Sequence, residues 1–175
     1  LDALSKDGVT ILPYDSIYEY VKTFEKDMTV LLCKKKANCR LVNNIPKEVT
    51  ILDEANLTFL PKSIKNPVEV ENERIAHIKD GVALTKFICW LKKNVGKIPM
   101  TELSAGEKLY SFRAQQENFI DNSFDPIISY GIHAAINHYS ATPETDIAIE
   151  PGNFLLADTG GHYYEGTTDT TRTIV

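Results

Sequence analysis

The chain has 175 residues, enough for one sizeable domain or one and part of a second. Apolar residues make up 43% and charged residues 25%, which is the composition of a globular protein and excludes a disordered or fibrous one. A net charge of −5 gives no basic footprint for nucleic acid, and no apolar run approaches the roughly 18 residues of a membrane span, so neither partner is expected.

The first 65 residues alternate β and α signals. "VTIL" (9–12) is a short β-branched run and predicts a strand. "DSIYEYVKTF" (15–24) predicts a helix: Ser16 and Glu19 have capping-box spacing, and Ile17, Tyr20, Val21 and Phe24 fall on one face. "TVLLC" (29–33) and "CRLV" (39–42) read as strands around the polar turn "KKKAN", whose lysines are solvated, and "VTIL" (49–52) reads as a further strand. This pattern indicates an α/β layer and no site of its own. Cys33, Cys39 and Cys89 follow no metal-binding spacing and are odd in number. With no signal peptide in view, they read as reduced thiols of a cytoplasmic protein, although Cys33 and Cys39 could face each other across a hairpin.

Asn66-Pro67 marks a boundary between residues 1–65 and 66–175: Asn is a good N-cap, Pro suits the first helical position, and Glu69 stands three residues on. A helix is expected over 68–94, with a stripe of Ile75, Ile78, Val82, Leu84 or Thr85, Ile88 and Leu91 and an end at Val95-Gly96. His77 and Trp90 within it read as packing residues. Thr101 and Ser104 offer the next cap, Ser104 with Glu107 has capping-box spacing, and a helix to about residue 117 follows. "IISYG", "AAINHYS", "FLLADTG" and "TTDTTRTIV" are then short β-like runs broken by turns. Two helices followed by an antiparallel sheet make this part α+β. The chain opens on Leu1 and closes inside a β-like run, so both ends read as cut and an interior piece of a longer protein is expected.

The chemistry concentrates in "LLADTGGHYYEGTTDTTRT" (155–173). A hairpin turning near Tyr163, Tyr164 and Gly166 places Asp158 opposite Asp169, with Cβ atoms roughly 4.5–5.5 Å apart. Two ionised carboxylates that close need a cation between them, and a pair of metal ions roughly 3.5–4 Å apart answers that need. The neighbouring threonines supply hydroxyls for supporting hydrogen bonds, and Gly160-Gly161 permits close backbone approach. From spacing alone the alternative stays open that Asp158 is a turn residue and Asp169 caps a local turn. Taken alone, His138 reads as a packing residue.

The whole stretch resembles the signature of the M24 metallopeptidases, and within them the aminopeptidase P branch, whose form is D-[ST]-G-x-x-Y-x-x-G-T-T-D-x-T-R-T; every fixed position is met. "GIHAAINHYSATPET" (131–145) is similar to that family's G-P-N-x-A-x-x-H-Y segment, 68–91 to the helix that opens its catalytic domain, and 101–129 to the segment that follows. The resemblance is weaker over 1–60. It implies an α+β fold: the N-terminal half of a "pita-bread" catalytic domain (66–175), with helices on a curved antiparallel sheet, preceded by part of a non-catalytic creatinase-N-terminal-like α/β domain (1–65). It implies that Asp158 chelates one metal ion, Asp169 bridges two, and His138 contacts substrate and stabilises the transition state. The two divalent ions would be Mn2+, holding a bridging hydroxide that attacks the scissile carbonyl. The activity implied is release of an N-terminal residue from peptides with proline at the second position, by a full-length cytoplasmic homodimer.

His133 stands where the family typically has Asn and Ile132 where it has Pro, which bears on substrate preference and makes His133 a substrate-binding candidate beside His138. His162, in a variable turn, receives no role. The family site also needs a further His and two Glu downstream of the second Asp, so this chain supplies two of five implied ligands and is expected to be inactive alone. The resemblance leaves three other activities open: a prolidase-type dipeptidase, a creatinase-like hydrolase, or a non-catalytic pita-bread module that binds peptide or protein.

Overall fold

The computed structural model describes residues 2–175, with side chains from residue 4 onward. The chain divides into two compact units, Leu1–Ile64 and Lys65–Val175. No helix among the described residues is long and apolar enough to cross a membrane.

The first unit opens with helix α1 (Asp2–Lys6). The stretch 9–12 expected as a strand is unpaired, and Val9, Ile11 and Leu12 are exposed: a four-residue β-branched run with no ladder partner, running into Pro13, has nothing to hold it as a strand. The next helical segment is broken into a 3₁₀ turn (Tyr14–Ser16), α2 (Ile17–Tyr20) and a second 3₁₀ turn (Val21–Thr23). The expected Ser16–Glu19 capping box is not formed; Ser16 is itself helical, and its hydroxyl donates to the Pro13 carbonyl at 2.6 Å.

Strand β1 (Thr29–Leu32) pairs in parallel with β2 (Thr50–Asp53), Thr29 opposite Thr50. The connection between them contains α3 (Cys39–Asn44) where a strand was expected. The deciding residue is Asn38, whose side chain accepts the Leu41 N–H at 2.8 Å and caps the helix. Parallel neighbours need such a crossover. No hairpin therefore brings Cys33 to Cys39, and all three cysteines are free. Val21, Ile45 and Val49 form a small core against which Phe24, Val30, Leu32, Leu41 and Ile51 pack. Helix α4 (Phe59–Ser63) ends the unit.

The second unit begins with the 28-residue α5 (Pro67–Asn94), capped as its sequence indicates: Asn66 Oδ1 accepts the Glu69 N–H at 2.9 Å, and the Glu69 carboxylate accepts the Asn66 N–H at 2.8 Å. Its buried face shares only Leu84 and Leu91 with the expected stripe. Ala76, Asp80, Ala83, Leu84, Phe87 and Leu91 point inward, while Ile78 is 67% exposed. Past its end, Gly96 takes φ +73, and a Cβ there would meet the Pro151 ring. Helix α6 (Glu102–Arg113) is capped by Thr101 with Ser104, so the box lies three residues before the expected Ser104–Glu107 pair, and the helix stops four residues short of 117.

The strands are β3 (Phe119–Asn122), β4 (Ile127–Tyr130), β5 (Leu155–Thr159), β6 (Gly161–Tyr163) and β7 (Thr170–Ile174). All pairings are antiparallel: β4-β5-β7 form one sheet and β3-β6 a second. "AAINHYS" is not a strand; it continues a 3₁₀ turn (Gly131–Ala135) into an irregular loop. Phe87, Leu91, Leu109, Ile128, Leu155, Ala157 and Ile174 make the core between helices and sheet. The alternation along β5 is strict, with Leu155, Ala157 and Thr159 buried and Leu156 and Asp158 on the opposite face.

Candidate metal centre

The outer face of the three-stranded sheet carries the candidate site. Asp158 pairs in register with Thr171 of β7 and Ile127 of β4, so these three side chains share one face. The register corrects the simple hairpin: Asp158 faces Thr171, two residues beyond Asp169. The reason is that 155–173 is not one hairpin. After Gly160 the chain leaves the sheet to form β6, which pairs with β3, and it returns only at Thr170.

Asp169 precedes β7, and its neighbour Thr168 is buried while Asp169 is exposed. Asp169 stands one residue before the start of β7 and two before Thr171, the partner of Asp158.

Asp158 is half-buried, and its Oδ1 accepts the Thr171 hydroxyl at 2.6 Å. Beside it opens a cleft of about 270 Å³ lined by Ser129, Ile136, His138, Leu156, Asp158 and Thr171. His138 and Asp158 are thus brought to one cavity. His138 also has φ +55, in the left-handed region that non-glycine residues adopt uncommonly.

His133 lies elsewhere, turned toward α6. Its Nδ1 sits 3.0 Å from both carboxylate oxygens of Glu102, its ring stacks on Tyr139 at 4.2 Å, and Tyr139 donates to Glu102 at 3.2 Å. Glu102, 1% exposed, also accepts the Tyr130 N–H at 2.7 Å. This clamp ties the loop carrying His138 to the start of α6. Glu102 gave no sequence signal, because an acidic residue in a helix's first turn is ordinary.

A second group missed in the sequence lies behind the site. Arg113 meets Asp80 through Nε at 2.7 Å and Nη2 at 3.3 Å, and Nη2 also donates to Thr159 Oγ1 at 2.9 Å. Tyr163 donates to Asp80 Oδ1 at 3.1 Å. Burial first, then the negative charge of Asp80, pushes the Tyr163 phenol up from its ordinary range.

The donors at hand are two carboxylates, a histidine and threonine hydroxyls; oxygen-rich sets of this kind suit Mg2+ or Mn2+ better than thiophilic metals. Among the described residues no three His, Cys, Asp or Glu side chains gather in a group able to hold a metal ion. Asp158 and Asp169 are thus two oxygen donors without a third such ligand beside them among the described residues.

Residues 71–175 match the model of metallopeptidase family M24, which is more than half the chain, and residues 1–69 match the creatinase/prolidase N-terminal domain. The chain belongs to metallopeptidase family M24. It is similar to Xaa-Pro aminopeptidase 1 of Dictyostelium discoideum, 36% identical over 171 residues, covering 95% of this chain and 27% of that protein. Against Xaa-Pro aminopeptidase 2 of Sus scrofa it is 31% identical over 167 residues, covering 95% of this chain and 25% of that one. The chain thus spans less than a third of the length of these curated relatives. Among solved structures, X-prolyl aminopeptidase of Caenorhabditis elegans superposes with a TM-score of 0.89 at 30% identity, over 98% of this chain and 29% of that one; it is described as a cytosolic enzyme with a di-nuclear active site. Aminopeptidase P of Escherichia coli, as its His350Ala variant, gives a TM-score of 0.71 at 20% identity and shares the fold. The M24 fold indicated by the signature is the fold found: an α+β half of the pita-bread domain, preceded by a creatinase-N-terminal-like unit.

Proposed function

We propose that the full-length protein carrying this chain is a metal-dependent Xaa-Pro aminopeptidase, and that this chain supplies one wall of its active site. The observation that carries the reading is the cleft on the outer face of β5 and β7, which Asp158, Thr171 and His138 line together. The complete M24 signature around both aspartates and the names of the similar aminopeptidases support it.

Asp158 and Asp169 would hold two divalent ions, in our reading Mn2+. Such ions supply Lewis-acid polarisation of a carbonyl and a nucleophile active at neutral pH. This chain's residues then have distinct tasks. Asp158 is oriented by the Thr171 hydroxyl, which donates to its Oδ1. Asp169 would be the ligand shared between the two cations, as the signature around it implies. His138, fixed at the cleft by its left-handed backbone, places an imidazole against the substrate and stabilises charge developing on the scissile carbonyl. His133 acts at one remove in this geometry, holding the loop that presents His138.

The substrate class we infer is a peptide with a free N-terminus and proline at the second position, cleaved by a cytoplasmic homodimer. A prolyl nitrogen has no N–H and its ring fixes the backbone, so the bond needs a dedicated site. The test assays the full-length protein with Mn2+ on Arg-Pro-Pro, on Ala-Pro and on creatine. Turnover of the tripeptide is expected. Cleavage confined to the dipeptide would make it a prolidase, turnover of creatine a creatinase-like hydrolase, and no turnover with metal bound a non-catalytic module.

A further inference from the structure

Each of the two aspartates proposed as metal ligands is flanked by a fully buried threonine. Thr159 follows Asp158, Thr168 precedes Asp169, and both are 0% exposed. In β5 strand alternation sends the Thr159 hydroxyl to the helix side while the Asp158 carboxylate faces outward, so whatever grips Thr159 sets the height of Asp158. The grip on Thr168 is local: its Oγ1 accepts the Gly161 N–H at 2.9 Å, and its carbonyl accepts the Ser123 hydroxyl at 2.8 Å. The grip on Thr159 comes from the helices, through Arg113 Nη2, and Arg113 is held in turn by Asp80. Tyr163 of β6 closes on the same Asp80. One buried ion pair thus ties α5, α6, β5 and β6 together directly behind the site.

We propose that the Asp80–Arg113 pair is a positioning device for Asp158, fixing the end of β5 through Thr159 so that the two carboxylates meet their ions at the right separation. The proposal rests on the metal-centre reading above. Stability alone is a poor account of the pair. A buried ion pair loses so much hydration that well-packed apolar residues often serve the fold equally well or better. Arg113 and Asp80 are each 1% exposed, and both lie in helices whose other inward residues are mostly apolar or small. What the pair adds over apolar packing is direction: the planar fork of Arg113 can satisfy Asp80 and Thr159 together in one geometry only. Metal ligands need that kind of support, because a carboxylate displaced by about half an ångström no longer completes the coordination shell.

The experiment uses the full-length protein and three variants. Thr159→Val keeps the volume and leaves the ion pair intact but removes the acceptor. Thr159→Ser keeps the hydroxyl. Arg113→Lys keeps a charge beside Asp80 but loses the fork. Mn2+ affinity is measured by calorimetry, and Tm is measured with and without the metal. Thr159→Val and Arg113→Lys are expected to weaken Mn2+ binding roughly 10–100-fold and to shrink the metal-induced rise in Tm, while Thr159→Ser stays close to wild type. A Thr159→Val protein with wild-type Mn2+ affinity and only a lower metal-free Tm would overturn the proposal, since the pair would then serve the fold alone. Wild-type protein that binds no Mn2+ would instead sink the metal-centre reading and this proposal with it, a result visible before any variant is made.

Discussion

At the scale of single residues, the two aspartates and the histidine are expected to fail in different ways. In the full-length protein, Asp158→Ala should lose both metal and activity, and Asp169→Asn should nearly abolish activity because a neutral amide bridges two cations poorly. His138→Ala should lower kcat roughly 10²- to 10⁴-fold with metal content near wild type, which metal analysis of the purified variant checks. An empty site in that variant would make His138 a ligand and overturn its assigned role. Tyr163 offers a pH test. Its phenol is pushed up, so the folded protein keeps the proton through the alkaline range in which an unfolded tyrosine, near 10, ionises. Stability contributed by Tyr163 is therefore complete below about pH 10 and declines above it. Urea denaturation of Tyr163→Phe is expected to show a shallower loss between pH 10 and about 11.5 than wild type. His138, Asp158 and Asp169 were legible in the sequence because they stand in one continuous motif of chemically unusual residues. Asp80 and Arg113 were not. A charge among the apolar positions of a helix reads as solvated unless its partner is known, and here the partner lies 33 residues away.

At the scale of elements, long helices and their caps were the legible part. Asn66, Pro67 and Glu69 announce the start of α5, and Gly96 its end, because capping chemistry is local. The short segments were less so: 9–12 carries strand-like residues with nothing to pair, and 39–42 carries them behind an Asn38 cap that turns them into a helix. The pairing of Asp158 with Thr171 was hidden for a related reason. Register depends on the chain's excursion into β6, a non-local pairing with β3 that no periodicity within 155–173 reveals. The excursion turns on Gly160. A Cβ there would run into the Thr168 carbonyl and the Ser123 hydroxyl, the atoms that hold the approach to Asp169. Gly160→Ala is expected to destabilise the protein by about 1–3 kcal/mol and to cost metal affinity as well, measured by denaturation and by Mn2+ titration of the same sample. A variant as stable as wild type with unchanged affinity would show that the turn relaxes freely.

At the scale of the molecule, the 175-residue chain by itself is expected to bind Mn2+ weakly and to lack peptidase activity, since two carboxylates alone rarely retain a pair of ions. Tight binding of two ions per chain in a calorimetric titration would refute this. The left-handed backbone of His138 has a consequence for any attempt to engineer the protein. The fold alone would favour glycine there, which adopts that conformation freely, so His138→Gly should raise thermal tolerance by a small margin while removing the imidazole. A library selected only for resistance to heat or protease would drift toward that exchange and enrich well-folded, silent proteins. Selection for turnover would hold the histidine in place and leave the loop slightly less stable than its sequence neighbours allow.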